Sequence, residues 1–574
     1  LSDQLWQQHW DILFFAGHSS SQDHYGTGQI YINRTESLTL DKLKYSLRHA
    51  IAQGLKIAIF NSCDGLGLAR SLADLQIPQV IVMREPVPDR VAHTFLKSFL
   101  DRFSQGDSFY QSVRKAREKL QVLEGEFPCA TWLPVVYQNL TAIAPTWDDL
   151  IGHVQQKKRR LGVALLTGVL TTTAILAARF AGLLQPLELS AFDQMLRSRP
   201  AEKRDDRIVV VKVTESDVEK QTHQTGSSLS DSVLNRLLER ILKHQPKTLG
   251  IDIYLDHPIS PVHKTLRNAL KSGKLTTVCK AADSSRLDRA EIKPPTGSTH
   301  YGFSDSVSDD NGMMRRQLVS MDAQPGQCDT QDSLSLALAL NYLELHQIEL
   351  NTTETDWQLG KATLPFLTSH TGGYQQFDDG GYQLLVNYRA SGSLQNAFRS
   401  VSLEQALTLP DDQLQALVKD RLVLIGTTAA SFHDIGKTPY HATQNDDRCA
   451  DPSPYQCVPG VFIQAQMTSQ LISAALDARP LLWAAPFWAD GLLVLLSSMA
   501  GAILVWKVHR GWILISMMGG MIIAIAGTSV ILLMTPGYWM PVVPMLGGLI
   551  LSGCIVKASL IQSSTLRSVS GLQP

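Results

Sequence analysis

The feature that most constrains this chain is an apolar run that begins directly behind a cluster of positive charges. Four basic residues fill positions 157–160, and residues 161–178 then carry no charge. A helix of roughly 20 apolar residues is long enough to cross the hydrocarbon core of a bilayer. Basic flanks favour the cytoplasmic side of the membrane. We therefore predict that residues 161–184 form a transmembrane helix that enters the membrane from the cytoplasm.

The C-terminal part of the sequence contains further apolar runs of similar length. They cover residues 482–506, 512–534 and 540–556. Lys507 and Arg510 lie between the first two runs, and Lys557 follows the last. Together with the basic cluster, these charges fall on one side of the membrane if all four runs cross it. This predicts a multi-pass protein of the inner or plasma membrane, with residues 185–480 outside and both termini, including a tail at 557–574, in the cytoplasm.

Two charged residues interrupt the predicted spans. At a rise of ~1.5 Å per residue, Arg179 and Asp490 both lie about 25 Å from the cytoplasmic ends of their helices. Charges at membrane depth either pair with each other or extend to the interface. The sequence leaves both alternatives open, an intramembrane ion pair of Arg179 with Asp490 or two independent side chains.

Residues 1–145 alternate between strand and helix patterns. Strand-like runs alternate with amphipathic helical runs at residues 11–16, 38–53, 56–60, 79–83 and 90–103. This alternation predicts a mostly parallel α/β sheet. In such sheets functional groups gather beyond the carboxyl ends of the strands. A basic linker at 146–160 would join this domain to the first span.

His18 and Cys63 each follow one of the predicted strands. A thiolate nucleophile needs a base that takes its proton, and imidazole does this near neutral pH. A histidine upstream of the cysteine is also the order found in caspases. The alternative is that Cys63 is an inert small residue and His18 a solvated loop residue.

The residues around this pair resemble a known family. The segments FFAGHSS around His18 and AIFNSCDGLGLARSLADLQIPQVIVMREPVPD around Cys63 are similar to the CHAT domain, a caspase-like cysteine peptidase domain. The similarity covers residues 11–139 and implies Cys63 as nucleophile and His18 as general base. Ser19 stands where the family usually has glycine. Because few residues precede His18, we expect the domain to be truncated at its N-terminus.

Residues 185–480 form a second predicted α/β domain. A strand at 207–213, an amphipathic helix at 230–245 and a strand at 248–254 favour a parallel pair. Residues 256–330 are polar and irregular, and we expect their acidic cluster of Asp305, Asp309 and Asp310 to be solvated.

The second domain also resembles a family. The segments DRIVVVKVTESD at 206–217 and PGVFIQAQMTSQ at 459–470 are similar to the CHASE type 2 sensor domain, an extracytoplasmic module of bacterial and cyanobacterial receptors. The resemblance implies an extracytoplasmic ligand, which the sequence does not identify. Gln464 occupies the position of a histidine in the usual family motif, so a ligand role of that histidine is lost here.

Three aspartates follow strands or turns of the second domain and raise the question of a metal site. Asp217, Asp252 and Asp434 are of the type that binds hard cations, but such residues equally cap helices and turns. We favour capping, and predict neither a metal nor a cofactor.

The cysteines divide between the predicted compartments. Cys63 precedes the first span, where thiols stay reduced, and four cysteines follow it in the part predicted to be extracytoplasmic. We predict the disulfides Cys449–Cys457 and Cys279–Cys328, although other connectivities are open.

The sequence therefore predicts a multidomain membrane protein with a caspase-like cytoplasmic domain, a sensor domain and four transmembrane helices. The predicted function is a sensor-regulated cysteine peptidase acting on a cytoplasmic protein. The alternative is a non-catalytic receptor whose CHAT domain binds signalling partners. A formal net charge of −1 predicts no nucleic-acid partner. The oligomeric state is open, a homodimer included.

Overall fold

A computed structural model provides the structure of the chain. It describes residues 5–6, 9–17, 19–21, 28–31, 37–61, 75–221, 228–281, 291–323, 328–353, 357–440, 457–508 and 510–570. The chain divides into an N-terminal unit, Leu1–Gly162, and a C-terminal unit, Val163–Pro574.

The N-terminal unit is built on a four-stranded sheet. Its strands and helices, in chain order, are β1 (Ile12–Ala16), β2 (Ser19–Ser21), β3 (Gly28–Tyr31), β4 (Ser37–Thr39), α1 (Leu40–Gln53), β5 (Ile57–Asn61), β6 (Gln79–Met83), α2 (Asp89–Ser104), α3 (Phe109–Lys119) and β7 (Pro134–Gln138). The sheet order is β1-β5-β6-β7. The first three strands are parallel and β7 is antiparallel to β6. Strands β2 to β4 form a separate antiparallel sheet.

The central strands of this sheet, β5 and β6, are buried on both faces. In β5, Ile57 and Ile59 pack with the aromatic residues of α2, whereas Ala58 and Phe60 pack with the leucines of α1. This follows from the two-residue repeat of a strand, which sends successive side chains to opposite faces. The result is a three-layer α/β/α arrangement, as the alternating sequence pattern predicts.

One long helix, α4 (Trp147–Phe180), begins in the N-terminal unit. Thr146 and Asp149 cap its first turn through reciprocal hydrogen bonds, and the Trp147 ring packs edge-on against Phe103 with centroids 5.6 Å apart. The segment predicted as a basic linker, 146–160, is therefore almost entirely helical. The apolar run Leu161–Phe180 completes the same helix.

The C-terminal unit contains the remaining elements. In chain order they are α5 (Gln185–Arg197), β8 (Ile208–Val213), α6 (Glu215–Glu219), α7 (Asp231–Lys243), β9 (Thr248–Asp252), α8 (Lys264–Lys271), β10 (Leu275–Cys279), β11 (Tyr301–Phe303), β12 (Arg316–Ser320), α9 (Leu334–Glu344), β13 (Leu350–Thr352), β14 (Trp357–Leu359), β15 (Ala362–Leu364), β16 (Tyr382–Leu385), β17 (Arg399–Ser402), α10 (Leu403–Thr408), α11 (Asp411–Val418), β18 (Leu422–Thr427), β19 (Ile435–Gly436), β20 (Val458–Pro459), α12 (Gly460–Asp477), α13 (Phe487–Lys507), α14 (Gly511–Met534) and α15 (Val542–Ser570).

A parallel sheet of six strands, in the order β11-β10-β9-β18-β8-β17, organises the domain between the first and second apolar helices. We call it the six-stranded domain. Strands β8 and β9 are parallel, as the strand-helix-strand pattern predicts. They are not neighbours, however, because β18 lies between them and pairs with both. The polar region 256–330 also supplies strands β10 to β12, which the sequence pattern did not reveal.

Both faces of this sheet are covered by helices. Val210 and Leu424 belong to the core that includes residues of α9 and α12. Val211 and Ile425, their chain neighbours, belong to the core that includes residues of α7 and α8. Continuous apolar strands such as β8 and β18 are typical of a parallel sheet that is buried on both sides.

The four apolar helices long enough to cross a membrane are Leu161–Phe180, Phe487–Lys507, Gly511–Met534 and Val542–Gln562. The last belongs to α15, which continues to Ser570, so most of the predicted C-terminal tail at 557–574 is helical. The predicted spans and these helices overlap closely and differ mainly at their ends.

The Sγ atoms of Cys279 and Cys328 lie 2.03 Å apart, at disulfide distance. Both residues are buried in a small cluster with Phe303. The other predicted pairing joins Cys449 to Cys457. Cys457 is described, but Cys449 lies outside the described residues.

We expect replacement of both Cys279 and Cys328 by alanine to lower the stability of the chain by about 2–5 kcal/mol, because a cross-link between distant residues constrains the unfolded state. Thermal unfolding of the full chain with and without dithiothreitol measures this. The control is Cys129→Ala, which removes an exposed free thiol. If dithiothreitol lowers the unfolding temperature of the double variant as much as that of the wild type, the pairing of Cys279 with Cys328 is wrong.

Candidate functional site

The described part of the N-terminal unit includes the strands that lead to the predicted dyad. Strands β1 and β5 are parallel neighbours, and Ala16 at the end of β1 is the register partner of Asn61 at the end of β5. His18 and Cys63 each follow these partners by two positions in the sequence and lie outside the described residues.

A cavity of about 350 Å³ lies beyond the carboxyl ends of strands in the six-stranded domain. Asp252 ends β9 and Thr427 ends β18, and both residues line the cavity. This is the edge at which parallel α/β sheets bind ligands, where the direction of strand succession reverses. In this sheet β8 and β9 follow each other in the chain but are not neighbours. The position between them is occupied by β18, which comes much later in the sequence.

Two carboxylates, Asp252 and Asp434, line this cavity. The Asp434 side chain is accessible from the cavity. The protein around it displaces part of its hydration, and this desolvation raises its pKa to about 6. Burial also raises the pKa of Asp252 well above its usual range, and the negative charge of Asp434 raises it further. The structure thus brings together two of the three aspartates for which the sequence suggested either a metal site or caps.

The third, Asp217, has a different task. Its carboxylate receives the backbone N–H of Thr214 at 2.9 Å and completes a capping box at the start of α6. It also receives the backbone N–H of Glu404 at 3.1 Å. Asp217 therefore caps a helix, as we favoured from the sequence.

The first turns of α12 form one wall of the cavity. Gly460 begins this helix, and its N–H donates to the backbone carbonyl of Asp434 at 3.0 Å. A Cβ at position 460 would lie only 2.3 Å from Asp434 Oδ1, so glycine is needed for the carboxylate to sit there. Gln464 lies one helical turn further along the same face. It is only 9% exposed, and its Oε1 has no hydrogen-bond partner in the described structure.

A second polar centre surrounds Arg179 near the end of α4. The Arg179 side chain is 1% exposed, and its Nη2 donates to Asp490 Oδ2 of α13 at 2.9 Å. Of the two alternatives that the sequence left open, the geometry has the paired arrangement. The Tyr538 hydroxyl donates to the other oxygen of Asp490 at 3.2 Å.

Arg179 has further partners that sequence reasoning missed. Its Nε lies 3.0 Å from Glu188 Oε1 of α5, and its Nη2 also donates to the carbonyl of Gly372. Gly372 has a positive φ of 61° and approaches the Trp539 ring so closely that a Cβ would lie 2.5 Å from it. Burial raises the pKa of Glu188 to about 7, because lost hydration outweighs the attraction of Arg179.

The other end of α5 is joined to the six-stranded domain by a buried ion pair. Asp193 receives two hydrogen bonds of 2.8 Å from Arg315, and both side chains are 1% exposed. Arg315 and Arg316 also contact Asp309. Our expectation that Asp309 is solvated is therefore wrong for this residue, because two arginines and the Tyr374 hydroxyl surround it.

Comparison with domain families agrees with both resemblances. The CHAT domain model matches residues 1–137, and the CHASE2 domain model matches residues 170–503, more than half of the 574 residues. A comparison with curated proteins finds no match. A CHASE2 sensor domain implies an extracellular ligand and association with a membrane, and its combination with a CHAT domain indicates sensor-linked signalling. The chain therefore belongs to the CHASE2 domain family and carries a CHAT domain ahead of its sensor.

Proposed function

We propose that this protein is a membrane receptor in which ligand binding outside the membrane regulates a caspase-like cysteine peptidase in the cytoplasm. The observation that carries the proposal is the parallel pairing of β1 with β5, in register from Ile12 to Ala16. It supports a common sheet edge for His18 and Cys63, because each follows its strand by the same number of residues.

The proposed chemistry is covalent cysteine catalysis. His18 takes the proton of Cys63, and the thiolate attacks the carbonyl carbon of a peptide bond. The C–N bond then breaks as His18 returns the proton to the leaving amine, which leaves an acyl-enzyme. A water molecule, deprotonated by His18, attacks the thioester and releases the acid and the free thiol of Cys63.

The proposed topology has the N-terminal unit and the C-terminus in the cytoplasm and the six-stranded domain outside. The basic cluster at 157–160, together with Lys507 and Arg510 between the second and third apolar helices, supports this orientation. The chain thereby connects sensor and peptidase directly through α4.

The contacts of the C-terminal unit support a route for the signal. Helix α12 starts at the cavity, and the chain continues from its end at Asp477 to α13, which begins at Phe487. Asp490 of α13 contacts Arg179 of α4, and Glu188 and Asp193 connect the same centre to the six-stranded domain. We propose that ligand binding shifts this packed set of helices between two arrangements and so changes the population of active peptidase.

We expect Cys63→Ala to abolish labelling of the full chain by a thiol-reactive peptide probe. We expect His18→Ala to slow that labelling by about 10²-fold or more, the scale of general-base catalysis. Mass spectrometry of the labelled site and hydrolysis of a fluorogenic peptide measure both effects. Cys129→Ala, which removes an exposed thiol of the same unit, is the control and should leave both unchanged. Unchanged peptide hydrolysis in Cys63→Ala would falsify the peptidase assignment. Labelling of Cys63 that does not depend on His18 would favour a non-catalytic interaction module.

We expect Arg179→Gln to destabilise the chain by about 3–5 kcal/mol, because it leaves buried carboxylates without their cation. Asp490→Asn should cost less, and the double variant should cost clearly less than the sum, with a coupling of about 0.5–3 kcal/mol. Unfolding of the full chain in detergent measures the cycle. The control cycle, Lys220→Gln with Glu404→Gln, breaks an exposed ion pair and should show a much weaker coupling. Additive effects at Arg179 and Asp490 would show that the contact does not couple the helices.

We expect Glu188 to make stability depend on pH. Because its pKa is raised from 4.5 to about 7 in the folded chain, the folded state binds the proton more tightly than the unfolded state. Its contribution to stability should therefore be present below pH 4.5 and be lost as the pH rises through about 7. Glu188→Gln should flatten the stability profile over this interval, whereas Glu118→Gln, at an exposed position of α3, should not. Parallel profiles for the wild type and Glu188→Gln would refute this role.

A further inference from the structure

The cavity of the six-stranded domain presents hydrogen-bond acceptors that lack donors. Within the described residues, no hydrogen bond contributes to the pKa of Asp252 or Asp434, and Gln464 Oε1 receives no donor. Buried polar groups in folded proteins are nearly always paired, so the unpaired Oε1 of Gln464 requires an explanation. The carboxylates beside it, half-buried at Asp252 and exposed at Asp434, are open to a ligand in the cavity. Three such acceptor groups converge where parallel sheets bind their ligands.

The same cavity supplies no strong cation of its own. Among its described lining residues there is neither lysine nor arginine, and the one histidine, His433, is exposed. Apolar side chains line part of the remaining wall, beside serine and threonine hydroxyls, and they include Val278, Met314, Ile463 and Met467. A ligand that fits this surface has to provide N–H donors and positive charge at one end and an apolar body at the other.

We propose that the cavity binds a small organic cation, an amine or a guanidine with a compact apolar body, as the extracytoplasmic ligand of this sensor. The inference rests on the proposed receptor function and specifies its ligand class. An ammonium group carries three donors and a guanidinium five, so either can serve Asp252, Asp434 and Gln464 together. Charge-assisted hydrogen bonds of this kind are stronger than those between neutral groups.

A metal ion fits these residues less well. In the described part of the chain there is no group of three or more side chains of the metal-binding types His, Cys, Asp and Glu. Calcium takes six to eight oxygen ligands, and only two carboxylates are present. The volume of about 350 Å³ also lies in the range of pockets for small organic molecules and far exceeds the ~30 Å³ of one water molecule.

The cation would contact the element that leads to the membrane. The backbone carbonyl of Asp434 accepts a hydrogen bond from the first residue of α12, and Gln464 lies in the second turn of that helix. Donors that pull both acceptors toward one ligand would therefore act on the position of α12 relative to β9, which carries Asp252.

The test uses the full chain in lipid nanodiscs and measures thermal unfolding and heat of binding with defined probes. The cationic probes are butylamine, putrescine and agmatine, and the controls are 1,4-butanediol, succinate and calcium chloride. We expect at least one cationic probe to bind and to raise the unfolding midpoint, and the controls to have no effect. Asp252→Asn and Asp434→Asn should each weaken that binding at least tenfold. Because both changes remove a desolvated charge, the variants should fold.

Two further variants make the result specific. Gly460→Ala keeps every charge but puts a Cβ where the Asp434 carboxylate lies, so it should also weaken binding. Asp412→Asn removes an exposed carboxylate of α11 and should leave binding unchanged. The proposal is overturned if none of the cationic probes binds, if succinate or calcium binds instead, or if the aspartate variants bind the cation as tightly as the wild type.

The ligand class and the receptor function can fail separately. Binding that requires Asp252 and Asp434 supports the ligand class whatever happens at Cys63. The same probe is then added during labelling of Cys63 with the thiol-reactive peptide. If binding is intact and labelling is unchanged, the coupling of sensor to peptidase fails while the ligand class stands.

Discussion

The buried guanidinium of Arg179 is the interaction on which the membrane-proximal structure depends. A buried charge is costly unless oppositely charged partners lie beside it. The acceptors of Arg179 come from Asp490 of α13, Glu188 of α5 and the carbonyl of Gly372. Three segments that are far apart in the sequence must therefore meet at the end of α4. One side chain thus determines how the first two apolar helices and the six-stranded domain fit together.

Helix α5 is part of the same network because two of its residues, on different turns, form buried ion pairs. Glu188 contacts Arg179, while Asp193 on a later turn contacts Arg315 of the six-stranded domain. Between them, Phe192 packs on Trp539 with ring centroids 4.5 Å apart. These contacts are buried, and breaking any of them leaves a charge or an apolar surface uncompensated. Movement of the six-stranded domain is therefore expected to carry α5 with it rather than to slide past it.

The elements that the sequence predicted well are those whose signal is local. The apolar helices and the strands β5, β8 and β18 follow from length and periodicity over a few residues. The insertion of β18 between β8 and β9 depends on pairings across more than half of the domain, and no local pattern encodes it. Glu188 and Asp309 were missed for another reason: their arginine partners lie only nine and six residues away, but no periodic pattern marks these contacts.

The candidate site shows the same division. The family motif already marked Gln464 as a substitution, and the sequence marked Asp252, Asp434 and Asp217 alike as acidic residues that follow strands or turns. Only the cavity distinguishes them from Asp217, which has the same side chain and the same relation to a strand but caps a helix. For His18 and Cys63 the strand pattern predicts a shared sheet edge. Both residues lie outside the described part of the chain, and the nearest described register pair is Ala16 with Asn61, two positions before each of them.

The position of β18 also has a consequence for how the sensor domain forms. Its residues pair with β8 on one side and β9 on the other, so Leu422 must join Ile208 and Thr248, which are made much earlier. Until β18 arrives, the sheet consists of two halves, each with an unpaired inner edge. Such edges are templates for wrong pairing, and contacts between distant residues form slowly. The sheet can close only when nearly all of the six-stranded domain has been synthesised, shortly before the chain reaches α13.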